Sequence, residues 1–269
     1  RKGILDNGLT YYIRQNDEPS DRAALWLAVN AGSNQEDDDQ LGIAHFLEHL
    51  LFEGTESFPD GGIIEFLESV GMEYGPDTNA STSYDRTIYT IQVPTDDPEI
   101  VETGIQILEE WAGHALLKPE EVERERDIIV EEWRLRQQSA RGRINEQIFP
   151  FLFADSRYAV RFPIGDMDIV RTVPPERIRD FYDTWYRPDL MAVLAIGDFE
   201  DLDLIESQIV ERFSDMEVAA DAVPHEEYPV PLHEETRIKI ITDSEQTNTR
   251  IQLLRKNCLL YTSPSPRDA

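Results

Sequence analysis

"AHFLEHLLFEGTESFP", residues 44–59, places two histidines four apart with a glutamate between them in an otherwise apolar run. On a helix over residues 42–52, His45 and His49 share one face, about 6 Å apart along the axis at 1.5 Å per residue. Two imidazoles then aim at one point, as a divalent metal requires. Glu48 is three residues from His45 and adjacent to His49, so its carboxylate flanks that point. Zinc accepts imidazole nitrogen at roughly 2.0–2.1 Å and in catalytic sites keeps a position for water. It lowers the pKa of that water to about 7, and a neighbouring carboxylate can then take the proton. H-x-x-E-H is the inverted form of H-E-x-x-H. Glutamate is seldom buried without a partner, which weighs against two incidental histidines.

The rest of the chain narrows the function classes. Its 269 residues suffice for one large domain or two modest ones, and 40% hydrophobic residues can build a sizeable core. No run of 18 apolar residues exists, so no membrane span is expected. The balance of 54 Asp plus Glu against 25 Lys plus Arg gives a net charge of −29. Such a surface repels nucleic acid and anionic lipid. With Cys258 as the single cysteine, neither an internal disulfide framework nor a thiolate zinc site can form. Cysteine scarcity also fits an exported protein.

Working outward, "ILDNGLTYYIRQN" (4–16) reads as a turn at Asn7-Gly8 and a short strand, and "RAALWLAVNAGS" (22–33) as a buried strand. An acidic loop, 34–42, leads into the motif helix. Helices are expected at 61–71, 96–116, 118–138, 173–188 and 201–216 from their apolar spacing. Residues 78–94 are β-prone, and "LMAVLAIGDF" (190–199) reads as a buried strand by its continuous apolar character. "TRIKIIT" (236–242) and "NTRIQLL" (248–254) read as further strands. No repeat with a period of 20–50 residues is visible.

A metal held by two histidines needs a third ligand. Helix 118–138 offers Glu120, Glu121, Glu123, Glu125, Glu131 and Glu132. Glu125 and Glu132 lie seven apart and share a face, and "DIIV" (127–130) should press this helix into the core. Glu120, Glu121 and Glu123 fit a solvated, salt-bridged face. These considerations do not choose between Glu131 and Glu132. His114 reads as structural or surface, and His225 and His233 as solvated. Trp111, Trp133, Tyr182 and Trp185 sit at helical spacing and read as core.

"AHFLEHLLFEGTESFP", "NASTS" (79–83), "ERERDIIVEEWR" (123–134) and "FPIGDMDIVRTVPPERIRDFYDTWYRPDLMAVLAIGDF" (162–199) together resemble the pitrilysin/insulinase family of zinc metallopeptidases. "GMEYGPDTNAST" and "VPTDDPE" are most similar to its long bacterial periplasmic members. The likeness covers roughly residues 4–254. It implies one Zn2+ per chain with His45 and His49 as ligands and Glu48 as the catalytic base. The family's E-x6-E pattern maps onto Glu125 and Glu132, which implies that Glu132 is the third ligand and that Glu125 supports the site. "NASTS" resembles the family's substrate-holding strand edge, with Asn79 and Ala80 as main-chain contacts by β-augmentation.

The resemblance also implies an α+β unit: a mainly antiparallel sheet with helices packed on one side. Residues 1–217 would form this catalytic zinc-binding unit, 218–235 a Pro- and acid-rich linker, and 236–256 the start of a second similar unit. Residues 257–269 resemble a translated sequencing adaptor and read as a non-native tail, so the natural chain is expected to continue. The expected function is a zinc-dependent endopeptidase acting on peptides or unfolded polypeptide, periplasmic or secreted in a bacterium. Its site would be completed by the C-terminal half of the same chain, and this piece alone is expected to be weakly active or inactive. The alternatives are a catalytically silent family member that binds peptides or serves as a scaffold, and a metal-dependent hydrolase of other substrates. Silent relatives lose part of H-x-x-E-H, which is whole here, and the peptide-edge segment disfavours other substrates.

Overall fold

The computed structural model describes residues 1–256. The chain divides into two compact units, Arg1–Arg134 with Arg161–Glu227, and Leu135–Val160 with the segment from Tyr228 onward.

The first unit is built on a six-stranded sheet. Its strands are β1 (Lys2–Ile4), β2 (Thr10–Gln15), β3 (Arg22–Val29), β4 (Thr78–Thr82), β5 (Thr87–Pro94) and β6 (Met191–Gly197), in the order β1-β2-β6-β3-β5-β4. Every neighbouring pair is antiparallel except β2 and β6, which run parallel. The mainly antiparallel sheet expected from sequence is therefore mixed at one seam. Two-residue alternation decides which face is buried. Leu25, Leu27 and Val29 of β3, Tyr89, Ile91 and Val93 of β5, and Val193 and Ala195 of β6 are all buried. The intervening Tyr12, Trp26 and Ile196 remain exposed. The apolar runs of β3 and β6 are thus half-buried strands rather than fully buried ones, because helices cover one side of the sheet.

Four helices lie on the buried side: α1 (Ile43–Glu53), α3 (Pro98–Gly113), α7 (Pro175–Trp185) and α8 (Leu202–Phe213). Trp111 of α3 has no exposed surface, and its indole N–H donates to the carbonyl of Leu51 on α1 at 3.0 Å. The Tyr182 hydroxyl of α7 donates to the carbonyl of Trp111 at 3.1 Å. The Tyr89 and Tyr186 hydroxyls share a hydrogen bond of 2.6 Å inside the core. Arg212 of α8 pairs with Glu109 of α3 at 2.9 Å. Each buried aromatic of this kind contributes about 1.5–3 kcal/mol through area alone. Their polar tips cost nothing in desolvation because each finds a partner. Two shorter helices, α2 (Gly62–Ser69) and α6 (Met167–Thr172), complete the shell with the long α4 (Pro119–Gln138). No helix among the described residues is long and apolar enough to cross a membrane.

Sequence periodicity did not announce α6 or α5 (Ala140–Leu152). The first is six residues, too short to show a period. The second carries Gly142 and Pro150 and has no buried residue. In the second unit, the Ser139 hydroxyl caps α5 by accepting the Gly142 amide at 3.0 Å. Arg143 grips the Asp243 carboxylate with two bonds of 2.7 and 2.8 Å, which holds that carboxyl down at about 2. The segments 236–242 and 248–254 form no strand. Ile238, Ile240 and Leu253 are 77%, 84% and 96% exposed. Their alternation fits a strand, but a strand exists only in a ladder, and no neighbour offers one among the described residues. Residues 257–269, read from sequence as a tail, lie outside the described residues.

The acidic loop leads into α1 as expected, and one of its carboxylates is turned inward. Glu36 is fully buried, and its two carboxylate oxygens accept the amides of Gly42 at 3.1 Å and Ala44 at 2.9 Å. A carboxylate there satisfies free amides at a helix N-terminus and complements its dipole. Gly42, at φ +100°, faces Gly165, at φ +78°, so closely that a Cβ on Gly165 would lie 2.2 Å from the Gly42 Cα. Only two glycines can cross there, and the contact fixes where α1 begins. Replacing Glu36 by Ala is expected to lower stability by about 1.5–3 kcal/mol, the value of a charged hydrogen-bonded group. Urea unfolding of the two proteins side by side measures it.

Candidate metal centre

Helix α1 carries His45, Glu48 and His49, of which His45 and Glu48 are buried. The two imidazole rings stand 4.8 Å apart, centre to centre, at 75° to one another. Helix α4 crosses beside them with Val122, Glu125, Ile129 and Glu132 at spacings of three and four residues. Val122, Glu125 and Ile129 are buried, so an apolar seam interleaved with carboxylates is pressed inward. Arg126 fastens α4 to the end of α6 by donating to the carbonyls of Val170 and, at 2.9 Å, Val173.

The result is one convergent group. Glu132 Oε2 lies 3.5 Å from His45 Nε2 and 3.7 Å from His49 Nε2. One ligand atom from each of the three residues lies within 4.8 Å of the others, the only such group of three or more among the described residues. Ligands at 2.0–2.1 Å on a tetrahedral ion stand about 3.3–3.4 Å apart, so the two separations made by Glu132 need little closing. Two neutral nitrogens and one carboxylate oxygen also form a donor set that suits zinc among divalent ions. Glu131, left open beside Glu132 by the residue spacing, points elsewhere and pairs with Arg134 at 3.6 Å.

His49 is held from behind. Its Nδ1 lies 3.2 Å from Glu125 Oε2. A carboxylate can only accept, so the proton belongs on Nδ1 and the Nε2 lone pair faces the convergence point. Burial opposes charging of His49, but the Glu125 hydrogen bond and the charges of Glu48, Glu125 and Glu132 outweigh it and raise its pKa. Glu125 also neighbours Glu53, which is paired with Arg124 across α1 and α4.

Glu48 sits to one side of the three. Burial pushes its carboxyl up, against the opposing pull of the Thr82 hydroxyl and His49. Thr82 Oγ1 donates to Glu48 Oε2 at 2.5 Å. Thr82 belongs to β4, the edge strand, together with Asn79 and Ala80. The hairpin-closing bond from the Ser83 amide to the Arg86 carbonyl sets the ladder's phase. Ser81 and Asn79 then bond into β5, while the peptide groups of Ala80 and Thr82 face the open edge. At present the Asn79 side chain accepts the Ala80 amide at 2.8 Å and donates to the Gly75 carbonyl at 3.3 Å.

Two neighbours were not singled out in the sequence. Thr82 shares the parity of Ala80, so the two-residue period offered a signal for it. Tyr74 is 59% exposed and sets its ring edge-on to Phe52 of α1 at 5.6 Å. Burial and then the carboxylates of Glu48, Glu125 and Glu132 raise its phenol pKa, and nothing in the sequence announced it. The other histidines stay apart. His114 pairs with Glu56 at 3.3 Å, and His233 lies 2.8 Å from the Glu235 carbonyl. His225 is half-buried rather than solvated, 3.4 Å from Gln35 and edge-on to Trp185, because the chain after α8 folds back over that residue. Trp111, Tyr182 and Trp185 are buried and Trp133 packs against the core, as their spacing suggested.

Comparison with known proteins gives this geometry a context. Residues 11–156 match the family model described as insulinase, peptidase family M16, and residues 172–264 match that of the peptidase M16 inactive domain. The chain is 40% identical over 254 residues to a zinc protease PQQL-like protein of Arabidopsis thaliana, covering 94% of this chain and 26% of that one. It is 39% identical over 251 residues to the probable zinc protease PqqL of Escherichia coli, covering 93% and 27%. Among solved structures, the first half of the periplasmic protease PqqL from Escherichia coli superposes with a TM-score of 0.81 at 39% identity, over 87% of this chain and 49% of that one. The chain thus spans about a quarter of the length of these curated relatives. On the strength of these matches, the chain belongs to the insulinase family of peptidases, family M16.

Proposed function

We propose that this chain is the metal-binding catalytic unit of a zinc-dependent endopeptidase acting on peptides or unfolded protein segments. The observation that carries the reading is the meeting of His45 Nε2, His49 Nε2 and Glu132 Oε2 at one point, with the Glu48 carboxylate beside it. A zinc ion bound there would polarise a water and the scissile carbonyl and stabilise the charge that develops on the carbonyl oxygen.

The chain's own residues do the rest. Glu125 holds His49 in the tautomer that offers Nε2. Glu48 takes the proton of the attacking water and returns it to the leaving amine. Its buried setting favours this exchange, since a carboxylate whose pKa lies above the ordinary range is a better base. The open edge of β4 at Ala80 and Thr82 can take an extended substrate as an added strand, with Asn79 moving off the Ala80 amide. Main-chain pairing gives affinity with little demand on side chains. The E. coli relative is periplasmic, and a periplasmic or secreted bacterial setting is proposed here as well. In the parent protein the remaining three quarters of the chain would complete the substrate site.

Three outcomes test the assignment. Elemental analysis of purified wild type is expected to give about one zinc per chain, and Glu132→Gln to lose it. Zinc retained in that variant would remove Glu132 from the ligand set. Glu48→Gln should keep its zinc while peptide turnover falls on the order of 10²–10⁴-fold. An active Glu48→Gln enzyme would sink the base assignment. Glu125→Gln is expected to weaken zinc binding roughly 10- to 100-fold, read by competition with a chelator.

A further inference from the structure

We propose that Thr82 is the positioning residue for Glu48: its hydroxyl fixes Oε2, so that Oε1 is the oxygen left to face the reacting water. This rests on the reading of Glu48 as base. The Thr82 hydroxyl has one proton and three acceptors in range. Glu48 Oε2 lies at 2.5 Å, while the Ala44 carbonyl and the Thr87 hydroxyl lie at 3.5 Å. The shortest contact by a full ångström is the charged one, and charged acceptors make the stronger bond. Thr87 Oγ1 spends its own proton on the Ala31 carbonyl at 3.0 Å inside the core, so it does not donate to Thr82 Oγ1. The main chain of Thr82 also lowers the Glu48 carboxyl, so the strand residue acts on it through backbone and hydroxyl alike.

The backbone makes the arrangement stiff. Thr82 is opposite Thr87 at the last pair before the β4–β5 turn, where the ladder fixes both residues. A β-branched side chain on a strand has a restricted χ1, so the hydroxyl is held where it is needed. Glu48 has three rotatable bonds, and on α1 nothing within its own helix holds the carboxylate tip. A contact from another element is required to hold one oxygen. Placing that contact on the strand whose open edge would receive substrate also ties the base to the substrate register.

The test separates this contact from the peptidase reading. In the metal-free 269-residue chain, a double-mutant cycle of Thr82→Val against Glu48→Leu is followed by urea unfolding. Thr82→Val should lower the midpoint in the wild-type background and leave it unchanged or raised beside Glu48→Leu, because only the first leaves a buried carboxylate without its donor. Equal shifts in both backgrounds would overturn the proposal. In the natural full-length protein, on an internally quenched unfolded peptide, Thr82→Val should lower kcat on the order of tenfold to a hundredfold. KM and zinc content should stay within about twofold, and Thr82→Ser, which keeps the hydroxyl, should recover most of the loss. A drop in zinc content, or a Thr82→Ser variant as impaired as Thr82→Val, would assign Thr82 a merely structural role and overturn the proposal. Wild type without turnover would refute the peptidase reading instead, and the cycle would then decide the contact by itself.

Discussion

The contact between α1 and α4 is the constraint on which the rest of the structure depends. Each helix brings polar groups to a surface that is otherwise apolar, and each would lose by burying them alone. An unpaired buried carboxylate or imidazolium costs several kcal/mol, whereas the same groups facing each other offset that cost. Glu125 meets His49, and Glu132 meets both histidines. The apolar residues between them, Val122 and Ile129, supply the burial that pulls α4 in. Fixing α1 is the other half of the problem. Its N-terminus is set by the Gly42–Gly165 crossing and the Glu36 carboxylate, and its body by Trp111 and Phe52. The two histidines therefore sit on a helix anchored at its start and along its buried face.

Much of this was legible in the sequence, and particular residues show why. His45, Glu48 and His49 could be placed together because helical geometry leaves no freedom over one turn. The choice between Glu131 and Glu132 could not be made that way. Adjacent residues on a helix point about 100° apart, and which one faces a partner depends on how two helices cross. That crossing is a tertiary fact, and only the family resemblance chose Glu132 in advance. The burial of Glu36 was not legible for a related reason. An acidic stretch is solvated by default, and nothing local says that one of its carboxylates will be drawn under a helix end eight residues on. The half-buried β6 was misread as fully buried because an apolar run reports hydrophobicity and not the number of layers around it. The segments 236–254 have strand-like alternation without a ladder, which separates what a sequence prefers from what its surroundings allow.

The position of Glu48 within the motif follows from the same helical arithmetic. With His45 as reference, His49 lies about 40° to one side on the helical wheel and Glu48 about 60° to the other, at 3.6 residues per turn. The three side chains therefore fan across roughly 100°. The structure uses both flanks. His49 turns toward α4, where Glu125 holds its Nδ1, and Glu48 turns toward β4, where Thr82 holds its Oε2. Had the glutamate been placed next to His45 on the other flank, it would have met the carboxylates of α4. Repulsion there would have driven its pKa up without any hydroxyl to orient it. The H-x-x-E-H order thus separates the side of the helix where His49 is held from the side where Glu48 is held. It directs Glu48 toward the strand whose peptide groups at Ala80 and Thr82 face the open edge. One turn of helix thereby links the histidine pair to α4 and the orientation of Glu48 to the sheet edge.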